Sequence, residues 1–168
     1  IKNLVNTFNQ SNRDYSSIDV ICAPTALHLD YVKQNLRKDF KVGIQNIWGD
    51  IESGAYTGEI TANIAKDFGI EWVIVGHSER RHLVSKESDI ILFDKAVVAL
   101  HLDLNIIFCI GESLKEREEN RTFEVCLKQL QLLVDNLSFK SWKNIVIAYE
   151  PVWAIGTGKN ATPEQVEE

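Results

Sequence analysis

Two stretches of the chain hold residue types that can move protons. In "AYEPVWAIGTGK", Ala148 to Lys159, a carboxylate, Glu150, directly follows an apolar run, and Pro151 behind it cannot continue a hydrogen-bonded ladder. In "EWVIVGHSERR", Glu71 to Arg81, His77 stands two residues beyond a second apolar run, with Gly76 between. A carboxylate can take a proton and an imidazole can donate a hydrogen bond, so the pair suits general acid–base work. Each alone reads more readily as structural, a local hydrogen-bonder and a solvated loop residue. Their equivalent places at the ends of apolar runs, two runs apart, favour a shared role.

The loop behind Glu150 has a rigid entry at Pro151, an apolar middle of Val152, Trp153, Ala154 and Ile155, and an exit through Gly156, Thr157, Gly158 and Lys159. Such a segment suits a lid that swings and excludes water, and glycine amides can approach an anion closely. Other motif readings fit poorly. A phosphate loop would need glycine at Trp153 and a hydroxyl residue at Asn160, and a GxGxxA fingerprint can be laid on Gly156 to Ala161 but the helix it should open does not begin until Thr162. His77 and His82 lie five apart without further ligands at metal spacing, so no metal site is expected.

The elements that must position these residues follow from periodicity. Near-continuous apolar runs at Ile18 to Ala23, Lys41 to Asn46, Glu71 to Gly76, Asn105 to Ile110 and Asn144 to Tyr149 predict strands covered on both faces. Between them, stripes at three-to-four spacing predict helices over Ala26 to Phe40, Thr61 to Phe68, Ile90 to Leu102 and from Thr122 to Leu137, with Gly69 as a C-terminal cap. Five alternations of this kind specify a parallel α/β sheet, whose ligands gather at the carboxyl ends of the strands. Periodicity leaves open whether that sheet is open or closed into a barrel.

The 168 residues, with a formal net charge of -6 and both signs interleaved, form no basic footprint for nucleic acid. No apolar run is long enough to span a bilayer, and three widely spaced cysteines, Cys22, Cys109 and Cys126, favour reduced thiols in a cytoplasmic setting. The ends carry a further expectation. Ile1, Leu4, Val5 and Phe8 already form a helical stripe, and Thr162-Pro163-Glu164-Gln165 is a helix opening with few residues after it. Residues 1–168 are therefore read as a single, partial domain cut through a helix at each end.

The strings "GIQN", "SGAYTGEI", "VIVGHSERR", "CIGE", "AYEPVWAIGTGK" and "ATPEQ", in that order, resemble the triosephosphate isomerase family along essentially the whole chain. The resemblance implies a TIM (β/α)8 barrel represented by about strands 2 to 6. It implies a cofactor-free aldose–ketose isomerase of glycolysis and gluconeogenesis that interconverts dihydroxyacetone phosphate and glyceraldehyde 3-phosphate. It assigns Glu150 as base, His77 as a neutral electrophile, Glu79 as a supporting group, Gly156 as a backbone donor to the substrate phosphate, and Pro151 to Lys159 as the lid. Tyr56, Thr57, Gly58 and Glu59 would belong to a loop inserted into the partner of a homodimer.

The family's first strand supplies an asparagine and a lysine, and its last two strands further phosphate-binding amides; none of these has a counterpart here. The 168-residue piece alone is therefore expected to be inactive, and a truncated, non-catalytic relic is the alternative. After the double arginine the family usually has Gly-Glu. Here Lys86 precedes Glu87, with one residue more than usual before it, so the resemblance does not carry Glu87 into the family's dimer contact.

Overall fold

The computed structural model describes residues 1–49, 54–155, 160–163 and 165. Helix α1 (Lys2–Asn9) precedes β1 (Ile21–Cys22), α2 (Leu29–Asn35), β2 (Lys41–Ile44), α3 (Ala62–Asp67), β3 (Trp72–Val75) and α4 (Asp89–His101). Then follow β4 (Asn105–Ile110), α5 (Leu114–Glu118), α6 (Thr122–Asn136) and β5 (Ile145–Tyr149). Every strand pairing is parallel, and spatial order follows chain order, β1-β2-β3-β4-β5. A doubly wound sheet would reverse direction at its switch point; this one never does. The five strands and their flanking helices thus form a half-barrel, part of a TIM barrel.

Side-chain caps mark where the helices begin. Thr61 accepts from the Ile64 N–H at the start of α3, Ser88 from Ile91 at α4, and Ser113 with Glu116 forms a full capping box on α5, a helix the apolar spacing did not announce. Gly69, just past α3, adopts φ +76°, the left-handed cap expected of it. Thr162 and Gln165 exchange the reciprocal bonds of a capping box. Ile1 precedes α1 with no side-chain cap.

Two elements are shorter than their apolar runs. The strand expected over Ile18 to Ala23 is paired only at Ile21 and Cys22, opposite Lys41 and Val42. The helix expected over Ala26 to Phe40 is a 3-10 turn at Ala26–His28 followed by α2, which ends where Leu36 turns extended. That turn lets Leu36 and Phe40 fold back onto Val5 and Val32 in a small apolar cluster, so burial overrides helical spacing here.

The main core lies between sheet and helices. Ile44, Val73, Val75, Ile106 and Phe108 from the strands meet Ala65, Leu92, Ala96, Ala99 and Leu133 from the helices. Alanines on α3 and α4 let those helices approach the sheet closely. Strand β5 departs from the expected two-sided burial: Val146 and Ile147 are exposed, because among the described residues it pairs only with β4.

A charged cluster is buried beside this core. Lys95 on α4 is 1% exposed and donates to Glu87 at 2.8 Å and to Asn46 Oδ1 at 2.9 Å. Arg80 reaches the same Glu87 oxygen at 2.6 Å, and Ser85 Oγ donates to it at 2.9 Å. The chain leads up to Glu87 through a single π-helical turn, Arg80–Val84. Lys86 then adopts φ +49°, a conformation that glycine adopts without cost. Burial raises the Glu87 pKa, but the bonds from Lys95, Arg80 and Ser85 outweigh it and hold the carboxyl below its ordinary value.

A carboxyl with a depressed folded pKa contributes stability above its unfolded pKa and loses it as pH falls through the folded one. Glu87→Gln should therefore cost about 3 kcal/mol near neutral pH. That difference should shrink below the ordinary range near 4.5. Urea unfolding of both proteins along a descending pH series measures it, and a pH-independent difference would show that the cluster does not hold the carboxylate.

Candidate active site

His77 and Glu150 meet at the carboxyl ends of β3 and β5. Gly76, at φ +80°, turns the chain out of β3, and a Cβ there would strike Arg81 Nη2 at 2.9 Å and the Cys109 carbonyl at 3.0 Å. The turn sets His77 Nε2 3.3 Å from Glu150 Oε1. The Ser78 N–H donates to Glu150 Oε2 at 3.2 Å. It is thus the backbone of Ser78 that holds the carboxylate.

The imidazole has a defined polarity. The Glu79 N–H donates to His77 Nδ1 at 3.3 Å, so in the neutral ring the proton sits on Nε2, the atom facing Glu150. The Glu79 carboxylate lies 3.8 Å from Nδ1 and is itself largely exposed, so this residue touches the ring chiefly through its backbone. Glu150 is about one-fifth exposed, within reach of a small molecule at the mouth of the half-barrel. Burial, and secondarily the Glu150 charge, push the neighbouring Cys109 thiol up to about 12, which keeps it protonated beside that carboxylate.

Behind the pair, carbonyls at the strand ends are held by side chains. Arg81 donates from Nε to the Gly76 carbonyl at 2.7 Å and from Nη2 to the Cys109 carbonyl at 3.0 Å, and pairs with Asp89 at 2.7 Å. Its side chain is 6% exposed. The ends of β3 and β4 and the start of α4 are thus tied by one guanidinium.

Glu112 is the other functional residue that sequence reasoning missed. It lies one residue past Gly111 at the end of β4, whereas Glu150 directly follows β5, and it is fully buried. Its carboxylate accepts from Tyr149 Oη at 3.0 Å, Trp153 Nε1 at 2.9 Å and Thr122 Oγ1 at 3.2 Å, with Arg117 3.8 Å away. Burial and the Glu112 bond push the Tyr149 hydroxyl up to about 12, so it remains a donor. Trp153, on the 3-10 turn Val152–Ala154, therefore anchors the start of the loop after Glu150. Of the expected lid, Pro151 to Ile155 are described, while Gly156, Thr157, Gly158 and Lys159 lie outside the described residues.

The expected partner loop is on the surface. Thr57, Gly58 and Glu59 are exposed, and Tyr56 packs on Trp48 with ring centroids 5.2 Å apart. Among the described residues no group of three His, Cys, Asp or Glu is placed to hold a metal ion, and no helix is long and apolar enough to cross a membrane.

The family described as triosephosphate isomerase matches residues 1–168. A protein of Gracilaria gracilis named "Triosephosphate isomerase, cytosolic" is 52% identical over 171 residues, covering 100% of this chain and 67% of that protein. Chloroplastic triosephosphate isomerases of Secale cereale and Arabidopsis thaliana are 48% and 45% identical over the whole chain. The chain spans 55% and 52% of their lengths.

Removing the Glu112 acceptor should be felt well beyond its own side chain. Glu112→Ala should destabilise the protein by about 2 to 5 kcal/mol, since the half-buried Tyr149 and buried Trp153 donors lose this acceptor. Urea unfolding measures the loss, with Trp153 fluorescence reporting the altered indole environment; unchanged stability would refute the anchor.

Proposed function

The chain belongs to the triosephosphate isomerase family, and we propose that the protein containing it interconverts dihydroxyacetone phosphate and glyceraldehyde 3-phosphate. The observation that carries this reading is the pairing of His77 Nε2 with Glu150 at 3.3 Å across the strand ends. Glu150 removes a proton from the carbon beside the substrate carbonyl. The Nε2–H of His77 donates to the carbonyl oxygen as it gains charge, giving an enediolate. The hydroxyl proton on the neighbouring oxygen passes to the former carbonyl oxygen, and return of the proton from Glu150 to the former carbonyl carbon, as the new C=O forms beside it, completes the exchange. Preorganised donors at a developing oxyanion supply much of the rate in such reactions. Glu79 supports the arrangement through its backbone, and Gly156 is assigned to the substrate phosphate.

The partner is a second copy of the same protein, with Thr57 and its neighbours forming the inserted loop. The support is their exposure and the Tyr56–Trp48 contact that fixes the base of the loop. A cytosolic setting accords with the name of the Gracilaria gracilis relative and with three free thiols.

In the complete protein, Glu150→Asp should lower kcat by about a hundredfold with KM changed little, because withdrawing the carboxylate by about one methylene misplaces the base. Steady-state isomerase assays in both directions test this. A wild type without isomerase activity would overturn the reading, and an unchanged kcat would remove Glu150 as base.

A further inference from the structure

Beyond the end of β4 the chain loses its ladder. The last bond between β4 and the following strand is the Glu150 N–H to the Ile110 carbonyl, at 2.7 Å. The next peptide groups, those of Gly111, have no strand to pair with, and Gly111 is buried. Unpaired buried backbone groups are costly, so a partner must come from elsewhere.

It comes from α6. Gln129 Oε1 accepts from the Gly111 N–H at 2.8 Å, and Gln129 Nε2 donates to the Gly111 carbonyl at 3.0 Å. One side-chain amide thus plays the part of a neighbouring strand, meeting both groups of one residue. A shorter amide would not reach, and a carboxylate would offer no donor to the carbonyl.

Gly111 is also the seat of the Glu150 backbone. A Cβ on Gly111 would collide with the Glu150 carbonyl, and its other near neighbours are the Glu150 carbonyl carbon and Cα. The main chain carrying the carboxylate lies flat on this glycine, whose orientation is fixed by Gln129. On the far side of the same carboxylate, Ser78 and His77 hold the two oxygens. The seat and the two donors together define where the carboxylate stands.

We infer that Gln129 is a positioning residue for Glu150: its amide locks the Gly111 peptide against which the Glu150 backbone rests. The inference rests on the isomerase reading for its consequence on rate, while the tie itself can be read without activity. A loss of orientation at the base of about an ångström is enough for losses approaching a hundredfold.

The test uses the complete protein carrying Gln129→Leu, Gln129→Glu or Gln129→Asn. In Gln129→Leu, kcat should fall tenfold to a hundredfold, on the order expected for a displaced base. KM should move less than about threefold, with the loss placed in the chemical step. Neither Gln129→Glu nor Gln129→Asn should restore the rate. In a Glu150→Ala background, Gln129→Leu should cause no further loss, because the group it positions is gone. Hydrogen exchange of the Gly111 amide should accelerate at least about tenfold in Gln129→Leu while β4 amides keep their protection. An unchanged kcat, or an equal loss in the Glu150→Ala background, would overturn the positioning role. Unchanged exchange at Gly111 would overturn the tie. An inactive wild type would overturn the isomerase reading instead, leaving the exchange result to decide the tie.

Discussion

The constraint on which this structure turns is that the peptide groups at the carboxyl ends of parallel strands run out of partners before they run out of burial. Buried backbone donors and acceptors must be paired, and past the last ladder bond only side chains remain to do it. Arg81 meets the Gly76 and Cys109 carbonyls, Gln129 meets both groups of Gly111, and Glu150 gives its own N–H to Ile110. The strand ends become rigid without further strand, and rigidity there is what holds His77 and Glu150 at one separation.

A second layer of polar pairing sits behind the first. Glu112 gathers Tyr149, Trp153 and Thr122 beneath the loop that follows Glu150. Lys95, Glu87, Arg80 and Asn46 join α4 to the turn after β3 and the segment after β2. Replacing such clusters by apolar side chains can leave stability unchanged, so their presence argues for geometry more than for energy. Both clusters adjoin residues of the candidate site: Arg80 is three residues from His77, and Tyr149 precedes Glu150. The π-helical turn at Arg80–Val84 leads into Glu87, whose carboxylate holds Lys95 and Arg80.

Much of the fold was legible because burial and hydrogen bonding follow period. The helices over Ala62–Asp67, Asp89–His101 and Thr122–Asn136, and the strand Asn105–Ile110, stand within a residue or so of where apolar spacing puts them. Helix α5 was not legible by that signal: it is five residues long, none of them buried, and it begins on the capping box of Ser113 and Glu116 rather than on an apolar stripe. The break after α2 was also hidden, because Leu36 and Phe40 keep helical spacing yet fold back onto a cluster formed with α1.

Residue identity along the chain pointed to the family and marked the two residues proposed for the chemistry. A carboxylate stopped by proline and a histidine released by glycine are local facts of valence and backbone freedom. What only the folded chain decided is which of two similar glutamates faces the mouth. Glu112 and Glu150 each end an apolar run, yet one is fully buried among three donors and the other stands partly exposed beside His77. Nor could the sequence show that Arg81 is buried, that Gln129 substitutes for a strand, or that the sheet winds one way only. Those facts depend on groups brought together from distant parts of the chain, and such pairings carry no period that a sequence can display.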